Sequence, residues 1–134
     1  DPKKTLHNNQ TQHNKQIKFK LQACTQALLN THQISQLLVN LVINGLQAME
    51  NKGNVIEVRT YSTSKGVVLS ISDQGPGIPQ DVLDNIWNPF FTTKESGTGL
   101  GLAICKSIVS RHNATIGVET SINGTTFEIY FPTV

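Results

Sequence analysis

Alternating glycines lead directly into a predicted helix in the last third of the chain. Gly97, Gly99 and Gly101 stand at every second position, and helical spacing is expected over residues 100–111. Unpaired backbone N–H groups and the positive end of the helix dipole converge at such a start, where a polyphosphate binds well. A dinucleotide-binding loop needs its third glycine one position later and directly after a strand, and a P-loop needs Gly-Lys-Ser/Thr. The segment therefore favours a phosphate site outside the Rossmann and Walker classes.

A second glycine-rich segment, residues 73–78, follows a predicted strand directly. Gly75 and Gly77 allow backbone to approach a flat ligand closely, and the Asp73 carboxylate can accept a hydrogen bond from an exocyclic amine such as that of adenine. An ordinary glycine-proline turn with a capping aspartate explains the same residues. Taken alone, the segment leaves both interpretations open.

Amide side chains follow one face of the first long predicted helix. Asn30 or Thr31 is a suitable N-cap, and an apolar stripe with helical spacing follows it. The amides cluster beside that stripe, and Asn40 and Asn44, one turn apart, can present two oxygens to a shared Mg²⁺. A solvated polar face is the alternative. The apolar positions are Ile34, Leu37, Leu38, Leu41, Val42 and Met49, and the amides are Gln36, Asn40, Asn44 and Gln47.

The long connection over residues 74–96 has the character of a functional lid. It holds at most a short helix over residues 81–86, and then Phe90 and Phe91 precede two threonines and Lys94. The phenylalanines can anchor a lid on the core, while Lys94 lies near enough in sequence to the glycines to reach a phosphate. Both phenylalanines can equally be ordinary core residues.

Period-two patterns predict the strands that must position these segments. Ile17, Phe19 and Leu21 alternate with lysines as in a half-buried strand, and β-rich runs follow over residues 55–61, 67–72, 115–120 and 125–131. Residues 62–66 join one hairpin, and Asn123-Gly124 marks the turn of another. Asn113 is expected to end the last helix in a left-handed conformation. The order predicts a two-layer α/β sandwich: a mixed, mostly antiparallel sheet of about five strands, helices on one face, and a long lid.

Composition limits the remaining classes. The length of 134 residues fits one domain, with residues 1–15 as a flexible leader or the remnant of a preceding helical domain and residues 16–134 as the folded unit. Residues 1–22 carry a net charge of +4 within a total of +2, but few aromatics accompany the lysines, so no nucleic-acid binding is expected. Cys24 and Cys105 stand far apart and suggest neither a disulfide nor a zinc site. No apolar run is long enough to span a bilayer, and a cytoplasmic location is expected.

The four segments together resemble the catalytic domain of sensor histidine kinases, within the gyrase and histidine-kinase ATPase superfamily. The resemblance covers about residues 16–132. Residues 40–44 are similar to the N box of that family, residues 73–77 to its G1 box, residues 89–94 to its F box and residues 97–101 to its G2 box. The last two are most similar to the nitrogen-regulation type of these kinases.

The resemblance implies ATP and Mg²⁺ as ligands and a role for each matching residue. Asn44 would bind Mg²⁺, Asp73 would bind the adenine amine, and Thr125 would face the adenine pocket, on the side of the strand that Phe127 shares. Asn40 stands where ATP-hydrolysing relatives carry a glutamate base, so efficient hydrolysis is not expected. The implied catalytic residues are Asn40 and Lys94. The implied ligand-binding residues are Asn44, Asp73, Gly75, Gly77, Ile78, Phe91, Thr92, Thr93, Lys94, Gly97, Thr98, Gly99, Leu100, Gly101 and Thr125.

Four positions depart from the family pattern, and none removes a group with an implied chemical role. Gly45 stands where alanine is usual, and would allow closer approach of the base at a cost of roughly 1 kcal/mol in helix stability. Gln47, Asn88 and Asn113 replace a common cation, a usual glutamate and a usual glycine.

The resemblance also implies partners beyond this chain. No histidine here is followed by the acidic residue of the family's phosphoacceptor box, so the acceptor is expected on a separate dimerisation domain, with a response regulator downstream and this fragment monomeric. A parent protein anchored in a membrane is compatible with the resemblance. Two other functions fit the residues: a nucleotide-binding regulatory module without kinase activity, and a serine kinase of the anti-sigma-factor type. The four histidines are His7, His13, His32 and His112.

Overall fold

A computed structural model describes residues 15–21, 30–91 and 101–132 of the chain. Within these ranges five strands and three helices follow one another in the predicted order. The strands are β1 (Gln16–Leu21), β2 (Val55–Thr63), β3 (Gly66–Ser72), β4 (Thr115–Ser121) and β5 (Gly124–Pro132). The helices are α1 (Thr31–Ala48), α2 (Gln80–Leu83) and α3 (Gly101–Arg111).

The strands form one mixed sheet in the order β1-β2-β3-β5-β4. Only β1 and β2 are parallel, and the other three pairs are antiparallel. Alternation along the central strands turns Val58, Ile71 and Phe127, which stand opposite one another in register, toward the core. These residues pack in one cluster with Leu37 and Leu41 of α1 and with residues of α3. The predicted two-layer sandwich with helices on one face is confirmed.

Helix α1 begins at the first of the two predicted caps. The side chain of Asn30 accepts a hydrogen bond from the Gln33 N–H at 3.0 Å, which satisfies one of the donors that a helix start leaves unpaired. Thr31 is the first helical residue. The buried residues of the helix recur at every fourth position, namely Leu37, Leu41 and Gly45. The apolar stripe predicted from the sequence included the first two of them.

Both predicted hairpins are present, and in each the strands extend closer to the turn than the sequence indicated. Strands β2 and β3 pair as far as Thr63 and Gly66. Strands β4 and β5 pair as far as Ser121 and Gly124, so the turn consists of residues 122–123 and the predicted Asn123-Gly124 turn is wrong by one position. Gly124 pairs with Ser121 as the first residue of β5, and only glycine fits there because a Cβ would lie 2.0 Å from the Asp73 carbonyl oxygen.

Strand β1 is exposed, although its alternation predicted a half-buried strand. All six of its residues are exposed, and the strand lies at one edge of the sheet. Asn113 has a φ of 54°, which confirms the predicted left-handed residue after α3. No helix in the described ranges has the length and apolar character needed to cross a bilayer.

The connection between β3 and α3 is anchored by residues other than those predicted. Helix α2 covers residues 80–83 rather than 81–86. Phe90 is 74% exposed and has a φ of 67°, so neither a core position nor a lid anchor describes it. Instead Ile86 is buried, and Trp87 packs edge-on against Phe127 with ring centroids 6.0 Å apart. The segment is therefore attached to the core just before the phenylalanine pair.

Candidate functional site

The carboxylate of Asp73 is held where β3 ends, with 9% of the residue exposed. Its Oδ1 accepts hydrogen bonds from the Gly75 N–H at 2.9 Å and from the Thr125 N–H at 3.2 Å. The Asp73 N–H in turn donates to the Thr125 carbonyl at 2.9 Å. Backbone groups on both sides thus fix the orientation of a nearly buried acceptor.

Helix α1 comes closest to this carboxylate at Gly45. A Cβ on Gly45 would lie 3.4 Å from Asp73 Cβ and 3.7 Å from its Oδ2. The same Cβ would lie only 2.5 Å from Ile56 Cδ1, so Ile56 fills the space that an alanine side chain at this position would need. Asn44 immediately precedes Gly45, which places it in the turn of α1 that meets Asp73.

The two glycines after Asp73 are required by the fold itself. Gly77 has a φ of 87°, and a Cβ there would lie 2.0 Å from the Ser121 carbonyl oxygen. A Cβ on Gly75 would lie 2.9 Å from the Ala48 carbonyl oxygen. Close approach to the protein's own backbone therefore accounts for both positions, and their contact with a flat ligand stays a prediction.

Thr125 lies on the predicted side of β5. It is 4% exposed, shares the core side with Phe127, and its Oγ1 lies 2.9 Å from Thr120 Oγ1. Thr126 turns to the other face of the sheet, where its hydroxyl contacts that of Ser72 at 2.8 Å. The predicted orientation of Thr125, on the side of β5 that Phe127 shares, is confirmed, and its place in an adenine pocket stays a prediction.

Sequence reasoning did not find Thr120. Its Oγ1 accepts a hydrogen bond from the Ile78 N–H at 2.8 Å and also contacts Thr125, so it links the hairpin to the glycine-rich segment. The one feature that could have indicated Thr120 is its position opposite Thr125 across the predicted hairpin turn.

The amide face of α1 is divided by its packing. Gln36 and Gln47 are exposed, whereas Asn40 and Asn44 are half-buried. The Asn40 side chain forms a hydrogen bond with Cys105 of α3. Asn40 is therefore more than a solvated polar residue, because it takes part in the contact between the two helices.

Cys105 is fully buried, and burial raises the pKa of its thiol to about 12, although the hydrogen bond with Asn40 opposes that shift. The thiol is therefore protonated at neutral pH and cannot act as a nucleophile. Its sulfur lies 3.9 Å from the Leu37 carbonyl oxygen. Cys105 is free, and Cys24 lies outside the described residues.

Most of the predicted phosphate-binding residues lie outside the described ranges, namely Thr92, Thr93, Lys94, Gly97, Thr98, Gly99 and Leu100. Two predicted residues border this stretch. The Phe91 N–H donates to the Asn88 carbonyl at 3.2 Å. Gly101 is exposed at the start of α3, and a Cβ there would meet nothing within 4 Å. In the ranges that the structure does describe, no group of three His, Cys, Asp or Glu side chains could hold a metal ion.

The described part of the site can select a ligand by its hydrogen-bond donors. A nearly buried carboxylate, fixed by two backbone N–H groups, favours a neutral donor such as an aromatic amine over an acceptor. The neighbouring Thr125 hydroxyl and the turn of α1 with Asn44 bring further polar groups to the same end of the sheet.

A known ATPase family matches this arrangement. Residues 30–134 match the family described as histidine kinase-, DNA gyrase B- and HSP90-like ATPase. The chain belongs to that family. The match includes every described residue assigned to the site, from Asn40 on α1 to Thr125 on β5.

Curated relatives of this family member include a transport sensor protein and a sensor histidine kinase. The C4-dicarboxylate transport sensor protein DctB of Rhizobium meliloti is 45% identical over 105 residues, which are 78% of this chain and 17% of DctB. The sensor histidine kinase ZraS of Escherichia coli K12 is 44% identical over 101 residues, 75% of this chain and 22% of ZraS. The chain thus spans about a fifth of the length of these relatives.

Solved structures agree with the fold of this ATPase family member. The nucleotide-free catalytic domain of the histidine kinase ThkA superposes with a TM-score of 0.77 at 32% identity, covering 96% of this chain and 86% of that one. Full-length ShkA, solved in complex with AMPPNP, has a TM-score of 0.80 at 25% identity, covering 92% of this chain and 27% of that one. The chain is a histidine-kinase-type ATP-binding catalytic domain.

Proposed function

We propose that this chain binds ATP with Mg²⁺ and transfers the γ-phosphoryl group to a histidine on a separate dimerisation domain. The observation that supports this most strongly is the Asp73 carboxylate, nearly buried and held by the N–H groups of Gly75 and Thr125. A carboxylate so placed is suited to the exocyclic amine of adenine. The type of reaction is inferred from the family and from relatives that are sensor histidine kinases.

The residues around Asp73 have distinct proposed roles. Thr125 lines the adenine pocket, and Gly75, Gly77 and Ile78 form its rim. The segment with Thr92, Thr93, Lys94 and residues 97–101 surrounds the triphosphate, where backbone N–H groups and Lys94 offset its charge. Phe91 begins that segment.

The amide oxygen of Asn44 fits the requirement for magnesium, because Mg²⁺ prefers hard oxygen ligands and Asn44 lies in the turn of α1 beside Asp73. When bound, the metal neutralises charge on the phosphates. Asn40, held toward Cys105, offers an amide and no base, so it does not activate water and hydrolysis is slow. Positioning of the phosphoryl donor is the contribution of this domain.

The wider assignments rest on the resemblance. We infer that residues 16–134 form the catalytic domain, that the parent is of the nitrogen-regulation type, and that a response regulator receives the phosphoryl group. The domain itself is proposed to act in the cytoplasm as a monomer.

The test combines the purified chain, ATP labelled on its γ-phosphate, magnesium, and a separately produced dimerisation domain carrying the acceptor histidine. Label should appear on the acceptor, be lost in acid and survive alkali, while the chain alone stays unlabelled. Nucleotide binding is measured in parallel by calorimetry.

Each other outcome contradicts the proposal in a distinct way. Acid-stable label would indicate a serine kinase, and binding without transfer would indicate a regulatory module. Labelling of a histidine within the chain would contradict the separate acceptor. A folded chain with no affinity for ATP would exclude the whole assignment.

A further inference from the structure

Lys52, in the loop between α1 and β2, joins the two segments that hold Asp73. Its Nζ donates to the Ile122 carbonyl at 2.8 Å, to the Gly75 carbonyl at 3.1 Å and to the Gln74 carbonyl at 3.3 Å. One of these acceptors belongs to the β4–β5 turn and the other two belong to the segment that follows Asp73. A single ammonium group therefore bridges two loops that are distant in sequence.

The segment after Asp73 and the β4–β5 hairpin also supply the donors that orient the Asp73 carboxylate. One donor is the N–H of Gly75, whose own carbonyl accepts from Lys52. The other is the N–H of Thr125, three residues after Ile122. If the segment after Asp73 moved relative to the β4–β5 hairpin, one of the two hydrogen bonds to Asp73 Oδ1 would lengthen, because one donor lies in the segment and the other in the hairpin.

The remaining contacts of this region fix Gln74 from the side of the α1–β2 loop. Its side-chain oxygen accepts from the N–H groups of Asn54 and Val55 at 3.1 and 3.2 Å, and its own N–H approaches Met49 Sδ at 3.2 Å. These contacts hold Gln74 against one loop only. Among the described contacts, Lys52 is the residue that connects the carbonyls of Gln74 and Gly75 to that of Ile122.

We propose that Lys52 is a positioning residue for base recognition, which it serves by aligning the Asp73 carboxylate with the exocyclic amine of the purine. This inference rests on the proposed function, because it assumes that Asp73 binds that amine. Lys52 does not contact the nucleotide in this proposal. It determines how strongly the site prefers a 6-aminopurine over a purine without that amine.

The test measures the affinity of the full chain for ATP and for purine riboside triphosphate, which differs from ATP only by the missing 6-amine. We compare wild type with Lys52→Met and Lys52→Arg, and use Lys18→Met, an exposed lysine on edge strand β1, as the matched loss of charge. Lys52 is itself exposed, so folding of each variant is checked by its thermal midpoint.

The expected result is a loss of discrimination. In Lys52→Met, ATP should bind about tenfold more weakly, since the hydrogen bond from its 6-amine to Asp73 is misaligned. Binding of the analogue, which lacks that amine, should change little. Lys52→Arg and Lys18→Met should keep the wild-type ratio of the two affinities to within about twofold, because the first retains a cation with several donors and the second lies far from the site.

Equal weakening of both nucleotides in Lys52→Met would reveal a merely structural role and overturn the inference, as would an unchanged ratio. If Lys52→Met does not fold, Lys52→Gln replaces it under the same criteria. A wild type that binds ATP no better than the analogue would instead contradict the role of Asp73, and a wild type that binds neither would contradict the proposed function.

Discussion

A single substitution separates the observed backbone contacts of the Asp73 carboxylate from its proposed contact with adenine. Asp73→Asn retains an oxygen that can accept from the N–H groups of Gly75 and Thr125, but it places an NH₂ donor where the second oxygen stands. That donor would face the adenine amine, which is also a donor. We expect ATP affinity to fall by about a hundredfold or more. The free energy of unfolding should change by less than about 1 kcal/mol.

Isothermal calorimetry and urea denaturation measure the two effects. Asp81→Asn, an exposed aspartate in α2, is the control and should leave both quantities unchanged. Undiminished affinity in Asp73→Asn would remove Asp73 from the site.

Gly45 and Ile56 form a coupled pair against the back of the site. Gly45→Ala should stabilise the helix by less than the roughly 1 kcal/mol expected from removing a helical glycine, because its Cβ would lie 2.5 Å from Ile56 Cδ1 and the end of that side chain must move. Ile56→Val deletes Cδ1 and should cost about 1 kcal/mol. The double variant should be more stable than Ile56→Val alone.

A double-mutant cycle in urea provides the measurement. Additive effects of the two substitutions would show that the side chains do not compete for one space.

At the level of elements, His112 couples the two helices of the site. The Asn30 N–H donates to His112 Nε2 at 3.0 Å, so the ring hydrogen lies on Nδ1 and faces the Ile108 carbonyl at 2.8 Å. The ring also packs edge-on against Phe131. His112→Ala should therefore lower the free energy of unfolding by about 1–3 kcal/mol.

His32→Ala is the matched control, since His32 is exposed in the first turn of α1. Equal denaturation midpoints for the two histidine variants would contradict a coupling role for His112.

Patterns of residues close in sequence predicted the helices and strands. They failed where contacts between residues distant in sequence determine burial or register. The Asn30 cap, the left-handed Asn113 and the orientation of Thr125 depend on residues close in sequence, and all three are confirmed. Strand β1 was expected to be half-buried, because alternation gives no information about whether a strand lies at the edge of its sheet. The turn at residues 122–123 was misplaced because packing of Gly124 against Asp73, far away in sequence, sets the register.

The same limit applies to the site. Asp73, Asn44 and Thr125 can be predicted as ligand-binding residues because each lies in a recognisable motif or on the buried side of an alternating strand. The residues that hold them, including Lys52 and Thr120, carry no such signal: a lysine in a loop and a threonine in a strand are ordinary until the fold brings them to their partners. A sequence therefore indicates candidate ligand-binding groups more readily than the residues that pack and bond around them.

For the whole molecule, ionisation inside the core predicts how stability depends on pH. Burial raises the pKa of Cys105 to about 12, while in the unfolded chain the thiol ionises near its ordinary pKa of 9.0. The folded state thus retains a proton that the unfolded state releases, so its stability is complete below pH 9 and declines as pH rises toward 12. The expected loss is about 1 kcal/mol between pH 9 and pH 10, from the linkage limit of 1.4 kcal/mol per unit.

Tyr61 and Tyr130 shift in the same direction but contribute only at higher pH. Burial, followed by the Glu128 carboxylate, raises the pKa of each phenol above its ordinary value of 10.0. Between pH 8 and pH 10 the thiol should therefore dominate, and urea denaturation at pH 8, 9 and 10 isolates it. Cys105→Ala is less stable at pH 8 because it leaves a cavity beside Leu37, yet its stability should change much less up to pH 10 than that of wild type. Parallel declines in the two proteins would show that some group other than Cys105 controls the alkaline transition.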